Sequence, residues 1–262
     1  IGVRLVGSEM CIRDRSYSEY KLIEDKDGIY RTSSIRTYGD VIHSFVDNSK
    51  YDGVWAPGFI KLNLFDNVFK DTGLIRIDHI VGNVEEDKMN FWRDYYENIF
   101  GFTNFVVFDE TDISTKYSSL KSRVMRSKNW KVRLPINEPA QGLKKSQIQE
   151  FIDYYETAGV QHLALSTRDI IHTVKQMRNN GVDFLPTPLS YYENLHERIG
   201  EIDEDIETLA ELGILVDTDE NGYMLQIFTK PLQDRPTLFF EVIQRKGSNS
   251  FGKGNFCLLY TS

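Results

Sequence analysis

The amino-acid sequence predicts an α+β fold in which two β-α-β-β-β modules curl their sheets into one half-open barrel. Two observations lead to this prediction. Strand-like apolar alternation and helical spacing follow one another along most of the chain, with glycines at the ends of the helical runs. The order also occurs twice, because IDHIVGNV, a helix and GFTNF resemble VQHLALST, a helix and GVDF. We place the two modules at about residues 74–136 and 159–245.

The N-terminal part, residues 17–73, is predicted to be the remnant of a truncated domain. It contains strand-like runs at 28–34 and 38–47, with Gly-Asp and Asp-Gly turn signals between or after them. This stretch is too short to close a core of its own, so we expect it to be the end of a larger domain.

Both ends of the chain look foreign to the rest. Residues 1–16 and 257–262 resemble translated adapter sequence, so we expect them to be non-native. The two cysteines, Cys11 and Cys257, lie within these ends. The body of the protein is therefore predicted to contain no disulfide, no thiolate nucleophile and no cysteine-ligated zinc.

The first module begins with a predicted strand at 74–84, where apolar residues alternate. A helix is expected at 88–100, because residues such as Met89 and Trp92 recur at helical spacing and Gly101 is placed to end it. Strands are then predicted at about 102–109, 115–127 and 130–134.

A polar linker at 137–146 leads into the second module. A helix is predicted at 146–158, ended by Gly159. The remaining predicted elements are a strand at 160–167, a helix at 168–180 stopped by Gly181, a strand at 182–185, an extra helical stretch at about 189–212, and strands at 213–218, 222–229 and 236–245.

The charge and hydropathy of the chain exclude two classes of function. The formal net charge is −8, whereas binding to a nucleic acid needs clustered positive charge. No apolar run approaches the roughly 20 residues of a membrane span. We therefore expect no nucleic-acid or membrane partner, and a cytoplasmic location.

Two histidines and one glutamate form the candidate metal site. His79 and His162 occupy equivalent positions in the first strand of each module, and Glu241 lies in the last predicted strand among apolar neighbours. A carboxylate is costly to bury without a partner, and a metal ion is a natural partner. Two imidazoles and one carboxylate that leave open coordination positions suit ferrous iron. The pattern alone also allows structural histidines and a solvent-facing Glu241.

The other three histidines have no such relation to the duplication. His43 lies in the N-terminal remnant, while His172 and His196 lie on predicted helices. We interpret all three as structural or exposed.

Eight ordered motifs carry a resemblance to a known family. They are IDHIVGN, YSSLKSRVM, LPINEPA, KKSQIQEF, GVQHLAL, GYMLQIFTKP, DRPTLFFEVIQR and FGKGNF. Together, over roughly residues 28–256, they resemble the 4-hydroxyphenylpyruvate dioxygenase family, which has the vicinal-oxygen-chelate fold. The resemblance implies Fe(II) held by His79, His162 and Glu241.

The implied reaction converts 4-hydroxyphenylpyruvate and O2 into homogentisate and CO2, in tyrosine and phenylalanine catabolism. It needs no separate protein acid or base. Residues 74–256 would be the catalytic domain, and the full-length form is expected to be a homo-oligomer.

The resemblance also implies a substrate pocket. Aromatic walls suit a phenyl ring, and amide or hydroxyl groups can orient a phenol and a keto acid without adding charge. The implied pocket residues are Ser122, Asn137, Gln147, Gln161 and Gln226, with aromatic walls at Phe228 and Phe239 and a closing segment at Phe251 and Phe256.

Two alternatives remain at this point. One is 4-hydroxymandelate synthase, which shares the fold, iron site and substrate but oxidises the benzylic carbon instead of the ring. The loop around Pro135 and the aromatic wall of the pocket would determine which carbon is oxidised. The other is a catalytically impaired fragment of the dioxygenase. The family has a covering C-terminal helix where this chain departs into CLLYTS, so we expect iron binding with poor turnover.

Overall fold

The computed structural model describes residues 16–61, 71–108, 119–140, 145–252 and 254–255. The chain divides into two compact units, Ile1–Phe69 and Lys70–Ser262. The predictions for residues 1–15 and 257–262, including both cysteines, lie outside the described residues, as does Phe256.

The described part of the first unit is a three-stranded antiparallel sheet in the order β1-β2-β3. Its strands are β1 Ser16–Asp25, β2 Gly28–Arg36 and β3 Ile42–Tyr51. The two predicted runs correspond to β2 and β3, whereas β1 was not predicted because its mixed polar sequence has no clear alternation. Ser16, the last residue of the predicted non-native end, pairs with Ile35.

The second unit is built on one eight-stranded mixed sheet in the order β5-β6-β7-β4-β8-β11-β10-β9. Its strands are β4 Leu74–Asn83, β5 Thr103–Phe108, β6 Ser119–Arg126, β7 Arg133–Ala140, β8 Gly159–Thr167, β9 Leu215–Asp219, β10 Gly222–Phe228 and β11 Phe239–Lys246. The order is symmetrical about the antiparallel β4–β8 pair, since a parallel pair follows on each side of it, β4–β7 or β8–β11, and each half ends in an antiparallel pair, β5–β6 or β10–β9.

The helices of this unit are α1 Met89–Phe100, α2 Gln147–Tyr155, α3 Ile170–Asn179, α4 Leu195–Ile199 and α5 Ile206–Leu212, with a 3-10 turn at Leu189–Tyr191. Helix α1 buries Met89, Trp92, Tyr95 and Tyr96, and it ends at Gly101 in the left-handed region (φ 64°). No helix in the described ranges is long and apolar enough to cross a membrane.

The predicted duplication is confirmed in the order of the elements. One module is β4-α1-β5-β6-β7, and the other is β8-α3-β9-β10-β11. The equivalence of GFTNF and GVDF is wrong, however. The predicted strand at 182–185 is only an isolated bridge between Phe184 and Thr229, and β9 takes the edge position that β5 has in the first module. Pro186 and Pro188 follow at once and cannot donate to a ladder, which ends the pairing there.

Three boundaries around α2 and the inserted helices also differ from the prediction. Helix α2 ends at Tyr155, with Glu156 in the left-handed region, while Gly159 begins β8. A side chain at Gly159 would lie 2.5 Å from the Tyr155 ring, so this glycine allows a close approach rather than a helix end. The helical stretch at 189–212 is divided into the 3-10 turn, α4 and α5.

The predicted linker also begins too early. Strand β7 continues to Ala140, through residues we had assigned to a polar connection. Its prolines are tolerated because β7 pairs with β4 at only two positions, Gly82–Ile136 and Asn83–Asn137, which leaves Pro139 free of that ladder.

The main core of the unit lies in the second module. Apolar side chains of α3, α5 and the 3-10 turn pack with those of β9 and β10, and Val174, Leu209, Ile214 and Leu225 are fully buried. Phe239 and Val242 of β11 also belong to this core, so the strand that carries Glu241 is backed by a packed layer, which fixes its position.

Candidate metal centre

The three predicted ligands lie on three adjacent strands at the centre of the sheet. His79 on β4 pairs with Ala164 on β8, and Ala164 pairs in turn with Glu241 on β11. His162 lies two residues before Ala164 on β8, so its side chain is on the same face. The small Ala164 side chain leaves space between His79 and Glu241, into which His162 also points.

The ligand atoms converge in a buried place. His79 Nε2 lies 3.3 Å and His162 Nε2 lies 3.2 Å from Glu241 Oε2. The two imidazole rings are 5.8 Å apart at 75°. The three residues are 2–5% exposed. One ligand atom from each lies within 4.8 Å of the others, and they are the only such group of three found among the described residues.

Each histidine is oriented by the residue before it. His79 Nδ1 donates to Asp78 Oδ1 at 2.8 Å, and His162 Nδ1 donates to Gln161 Oε1 at 3.0 Å. This arrangement leaves both Nε2 atoms as electron-pair donors towards a carboxylate. With both Nε2 atoms unprotonated, three acceptors face one another, so either protons or a metal cation must lie between them.

The donor set therefore fits a metal ion. Glu241 Oε1 is buried and has no hydrogen-bond partner among the described residues, which a coordination bond would remedy. Two neutral nitrogens and one carboxylate oxygen form a three-ligand set that leaves positions open for further ligands.

The pKa values of the ligands reflect this close approach. Burial would raise the pKa of Glu241, but the charge of His79 and hydrogen bonds from both histidines lower it to about 2. Burial also opposes protonation of His79, yet Glu241 and Asp78 raise its pKa. For His162, burial outweighs Glu241 and lowers the pKa. The carboxylate thus stays ionised, as a metal ligand must be.

A cavity of about 520 Å³, including its open mouth, lies against these ligands. Seven of the nine predicted pocket residues line it: Ser122, Asn137, Gln147, Gln161, Gln226, Phe228 and Phe251. Phe239 does not line it but stacks on the His162 ring at 4.8 Å and 22°. Phe256 lies outside the described residues.

Local structure accounts for these positions. Ser122 and Asn137 are directly paired between β6 and β7. Phe228 on β10 pairs with Glu241, which continues the row of His79, Ala164 and Glu241 by one strand. Gln147 opens α2, which Ser146 caps by accepting from the Gln149 amide.

One end of the cavity is polar and unsatisfied. Ser122 Oγ and Asn137 Oδ1 are buried without a hydrogen-bond partner among the described residues. Such groups are costly to bury unless a ligand or water completes them. This end of the cavity is therefore suited to a polar group of a bound molecule.

The segment after β11, residues 247–252, forms another wall, and we call it the closing segment. Its Phe251 ring lies 5.1 Å from the His79 ring, edge to face. Gly252 has φ 78°, and a side chain there would lie 2.3 Å from Gln226 Nε2. Only glycine suits this position, because any larger residue would strain the backbone and displace a cavity-lining amide.

Sequence reasoning missed two sets of residues. Four further residues line the cavity: Val81, Leu120, Ile148 and Gly252. Pro135, which we expected in a loop, also lines it, from within β7. Strand period two could have found Val81 beside His79 and Leu120 beside Ser122. Sequence reasoning also missed Asp78, a buried carboxylate bound by His79, Arg133 and Arg245. Although burial would raise the pKa of Asp78, hydrogen bonds from and the charges of His79 and Arg245 hold it well below its ordinary value.

The two other histidines of this unit, His172 and His196, are not among the residues that line the cavity. His172 and His196 are exposed, and His43 is partly buried in the first unit. Burial lowers the pKa of His43.

Comparison with known proteins agrees with this geometry. Residues 76–227 match the family model described as the Glyoxalase/Bleomycin resistance protein/Dioxygenase superfamily. The chain is 46% identical over 248 residues to a 4-hydroxyphenylpyruvate dioxygenase of Tetrahymena thermophila, covering 92% of this chain and 61% of the relative. It is 44% identical over 254 residues to that of Dictyostelium discoideum, covering 94% and 69%.

A solved structure is also similar. A triple mutant of 4-hydroxymandelate synthase from Streptomyces coelicolor matches with a TM-score of 0.77 and 26% identity, over 94% of this chain and 68% of that one. The chain spans 61–64% of the length of the first three curated relatives it matches.

Proposed function

The chain belongs to the 4-hydroxyphenylpyruvate dioxygenase family of the Glyoxalase/Bleomycin resistance protein/Dioxygenase superfamily, and on that premise we propose that it is an Fe(II)-dependent dioxygenase. It would convert 4-hydroxyphenylpyruvate and O2 into homogentisate and CO2, in tyrosine and phenylalanine catabolism. We assign residues 74–256 as the catalytic domain. The main support is the convergence of two imidazole nitrogens and one carboxylate oxygen on the wall of an aromatic and amide-lined cavity.

His79, His162 and Glu241 would hold the metal through Nε2, Nε2 and the carboxylate. Bound ferrous iron would supply the redox chemistry of O2 and open positions for an α-keto acid. The protein's part would be to hold these three side chains in place. Asp78 and Gln161 do so by holding the Nδ1 atoms of the two rings, which keeps both Nε2 atoms directed inwards.

The substrate would lie across the sheet from the metal to the polar end of the cavity. Strand β6 lies two places from β4, which is about 10 Å at the usual strand spacing of ~4.8 Å. We propose that Ser122 and Asn137 bind the phenol hydroxyl, because their buried polar atoms have no partner in the described structure. Gln147, Gln161 and Gln226 would orient the rest of the molecule through their amides.

The aromatic residues would enclose the ring and exclude water. Phe228 and Phe251 line the cavity, and Phe239 supports His162 from behind. An aromatic ligand could pack against these phenylalanine rings, either edge to face or stacked. We extend the same role to Phe256, from the family resemblance alone.

The proposal is tested by product analysis. The purified chain is loaded with Fe(II) without oxygen and then given O2 and 4-hydroxyphenylpyruvate. We expect homogentisate and CO2 in equal amounts, with His162→Ala giving neither. Substrate loss without homogentisate, or equal turnover by His162→Ala, would contradict the proposal.

A second candidate is 4-hydroxymandelate synthase, which the similar solved structure supports. The relatives at 44–46% identity favour the dioxygenase over it. Both candidates use the same metal set, so the same assay separates them by product. Hydroxymandelate as the main product would replace our first assignment with the second.

A further inference from the structure

A buried ionic cluster lies directly behind His79. Asp78 is 5% exposed, and its carboxylate accepts three sets of hydrogen bonds. His79 Nδ1 lies 2.8 Å from Oδ1, and Arg133 Nη1 lies 2.9 Å from Oδ2. Arg245 binds both oxygens, with Nη2 at 2.9 Å from Oδ1 and Nε at 3.0 Å from Oδ2. The fork of Arg245 thus fixes the plane of the carboxylate that orients the metal ligand.

Arg245 also binds the closing segment. Its remaining nitrogen, Nη1, donates to the carbonyl oxygens of Ser248 at 3.2 Å and Ser250 at 2.6 Å. Its guanidinium carbon lies 5.2 Å from the centre of the Phe251 ring. That ring in turn packs against His79. One guanidinium therefore contacts both the support of a metal ligand and the backbone that carries a cavity wall.

Arg133 provides an internal comparison. It binds Asp78 Oδ2 as Arg245 does, but no contact joins it to the closing segment in the described structure. Loss of Arg133 would weaken the support of His79 alone. Loss of Arg245 would release His79 and Phe251 together, because both depend on the same side chain.

We propose that Arg245 is a positioning residue that couples the metal ligand His79 to the closing segment. Metal binding fixes the His79 ring, this ring orders Asp78 and Arg245, and Arg245 then holds Ser248, Ser250 and Phe251 over the cavity. The inference rests on the metal site of the proposed function, but not on the identity of the substrate.

The experiment uses the whole chain and Co(II), whose visible spectrum reports its coordination. Co(II) affinity is measured by titration, and hydrogen exchange is followed in residues 248–252 with and without Co(II). In the unsubstituted chain, Co(II) should slow this exchange. Arg245→Gln should weaken Co(II) binding about 10- to 100-fold, change its spectrum and abolish the slowing. Arg133→Gln should weaken binding while the slowing persists at saturating Co(II).

The matched control is Arg178→Gln. Arg178 also donates to a backbone carbonyl, that of Leu212 at 2.9 Å, and also lies against an aromatic ring, that of Phe184 at 5.7 Å. Among the described residues, it makes no hydrogen bond to Asp78 or to the closing segment. Its loss should leave Co(II) affinity, spectrum and exchange unchanged, which separates a general packing effect from the coupling.

Either of two results with Arg245→Gln would overturn the inference. One is an Arg245→Gln chain that binds Co(II) normally, and the other is one in which Co(II) still slows exchange in residues 248–252. If this variant does not fold, Arg245→Lys takes its place. Lysine keeps the charge without the fork, so intermediate loss of both properties is expected, and unaltered behaviour would contradict us. An unsubstituted chain that fails to bind Co(II) would overturn the metal site and this inference together. Normal Co(II) coupling without turnover would count against the proposed reaction alone.

Discussion

At the scale of single residues, the candidate metal centre depends on the small side chain of Ala164 as well as on the three candidate ligands. Ala164 lies between His79 and Glu241 in the register of three strands and is fully buried. Its side chain is a single methyl group, in the middle of the row that carries two of the three candidate ligands. Its size, as much as the ligand chemistry, leaves room for an ion.

We therefore predict that Ala164→Leu destroys metal binding. The larger side chain must displace His79 or Glu241, and overpacking of this kind costs about 1–3 kcal/mol in the free energy of unfolding. Co(II) titration and urea unfolding measure the two effects. Ala164→Gly is the control, since it adds no bulk and should keep the metal at a cost of about 1 kcal/mol. Metal binding by the leucine variant at ordinary affinity would show that this space is not required.

Sequence could point to the candidate ligands, which the structure brings together, but not to their support. His79 and His162 were found because the duplication places them at equivalent positions, and Glu241 because a carboxylate in an apolar strand is unusual. Asp78 was not predicted because its role depends on contacts with Arg133 and Arg245, which are 55 and 167 residues away in the chain. Contacts between elements distant in the chain leave no periodic signal.

At the scale of elements, α3 is joined to the strand that carries Glu241. Gln244 of β11 is 6% exposed, and its Oε1 accepts from the Ile170 amide at 2.8 Å. Asp169 accepts from the His172 amide at 2.9 Å. Two of the amides that a helix leaves unpaired at its start are thus satisfied, one of them by the sheet itself.

We predict that Gln244→Met lowers the free energy of unfolding by about 1–3 kcal/mol, because it leaves the buried Ile170 amide unpaired. Co(II) affinity should stay unchanged, since Gln244 and Glu241 point to opposite faces of β11. Urea unfolding and Co(II) titration provide the readouts. Gln176→Met is a matched control on α3, because the Gln176 amide oxygen is buried without a partner in the described structure. It should cost little, and an equal loss in both variants would contradict the capping role.

Element boundaries were less predictable than element types. The sequence pattern placed α1 within one residue, because buried residues at helical spacing and Gly101 agree. It failed at 182–185, where a short apolar run between Gly181 and Pro186 has strand composition but makes only one bridge. The edge strand comes later, at β9, because α4 and α5 are inserted first. The sequence of a short apolar run does not indicate which segment will form the edge strand of the sheet.

At the scale of the whole molecule, the symmetry of the two modules explains why the site is open. Glu241 pairs with the residue two places after His162. In the first module, β4 and β7 pair at Gly82–Ile136, and continuing this register by one residue places Pro135 beside Val81, two places after His79. Pro135 is thus the counterpart of Glu241, and it lines the cavity. The two modules together have four equivalent positions for ligands, but only three carry one. The fourth position is Pro135, whose side chain cannot bind metal.

This symmetry leads to our last prediction, that Pro135→Glu closes the open side of the site. A carboxylate at this position would approach the metal from the cavity, as Glu241 does from the other module, so Co(II) should bind more tightly. The same carboxylate would occupy positions that an α-keto acid needs, so binding of 4-hydroxyphenylpyruvate to the loaded chain should be lost. Pro135→Gln separates the two effects, because it fills similar space without charge and should not tighten Co(II). Equal Co(II) affinity in both variants, measured by titration, would mean that the modules do not share this ligand position.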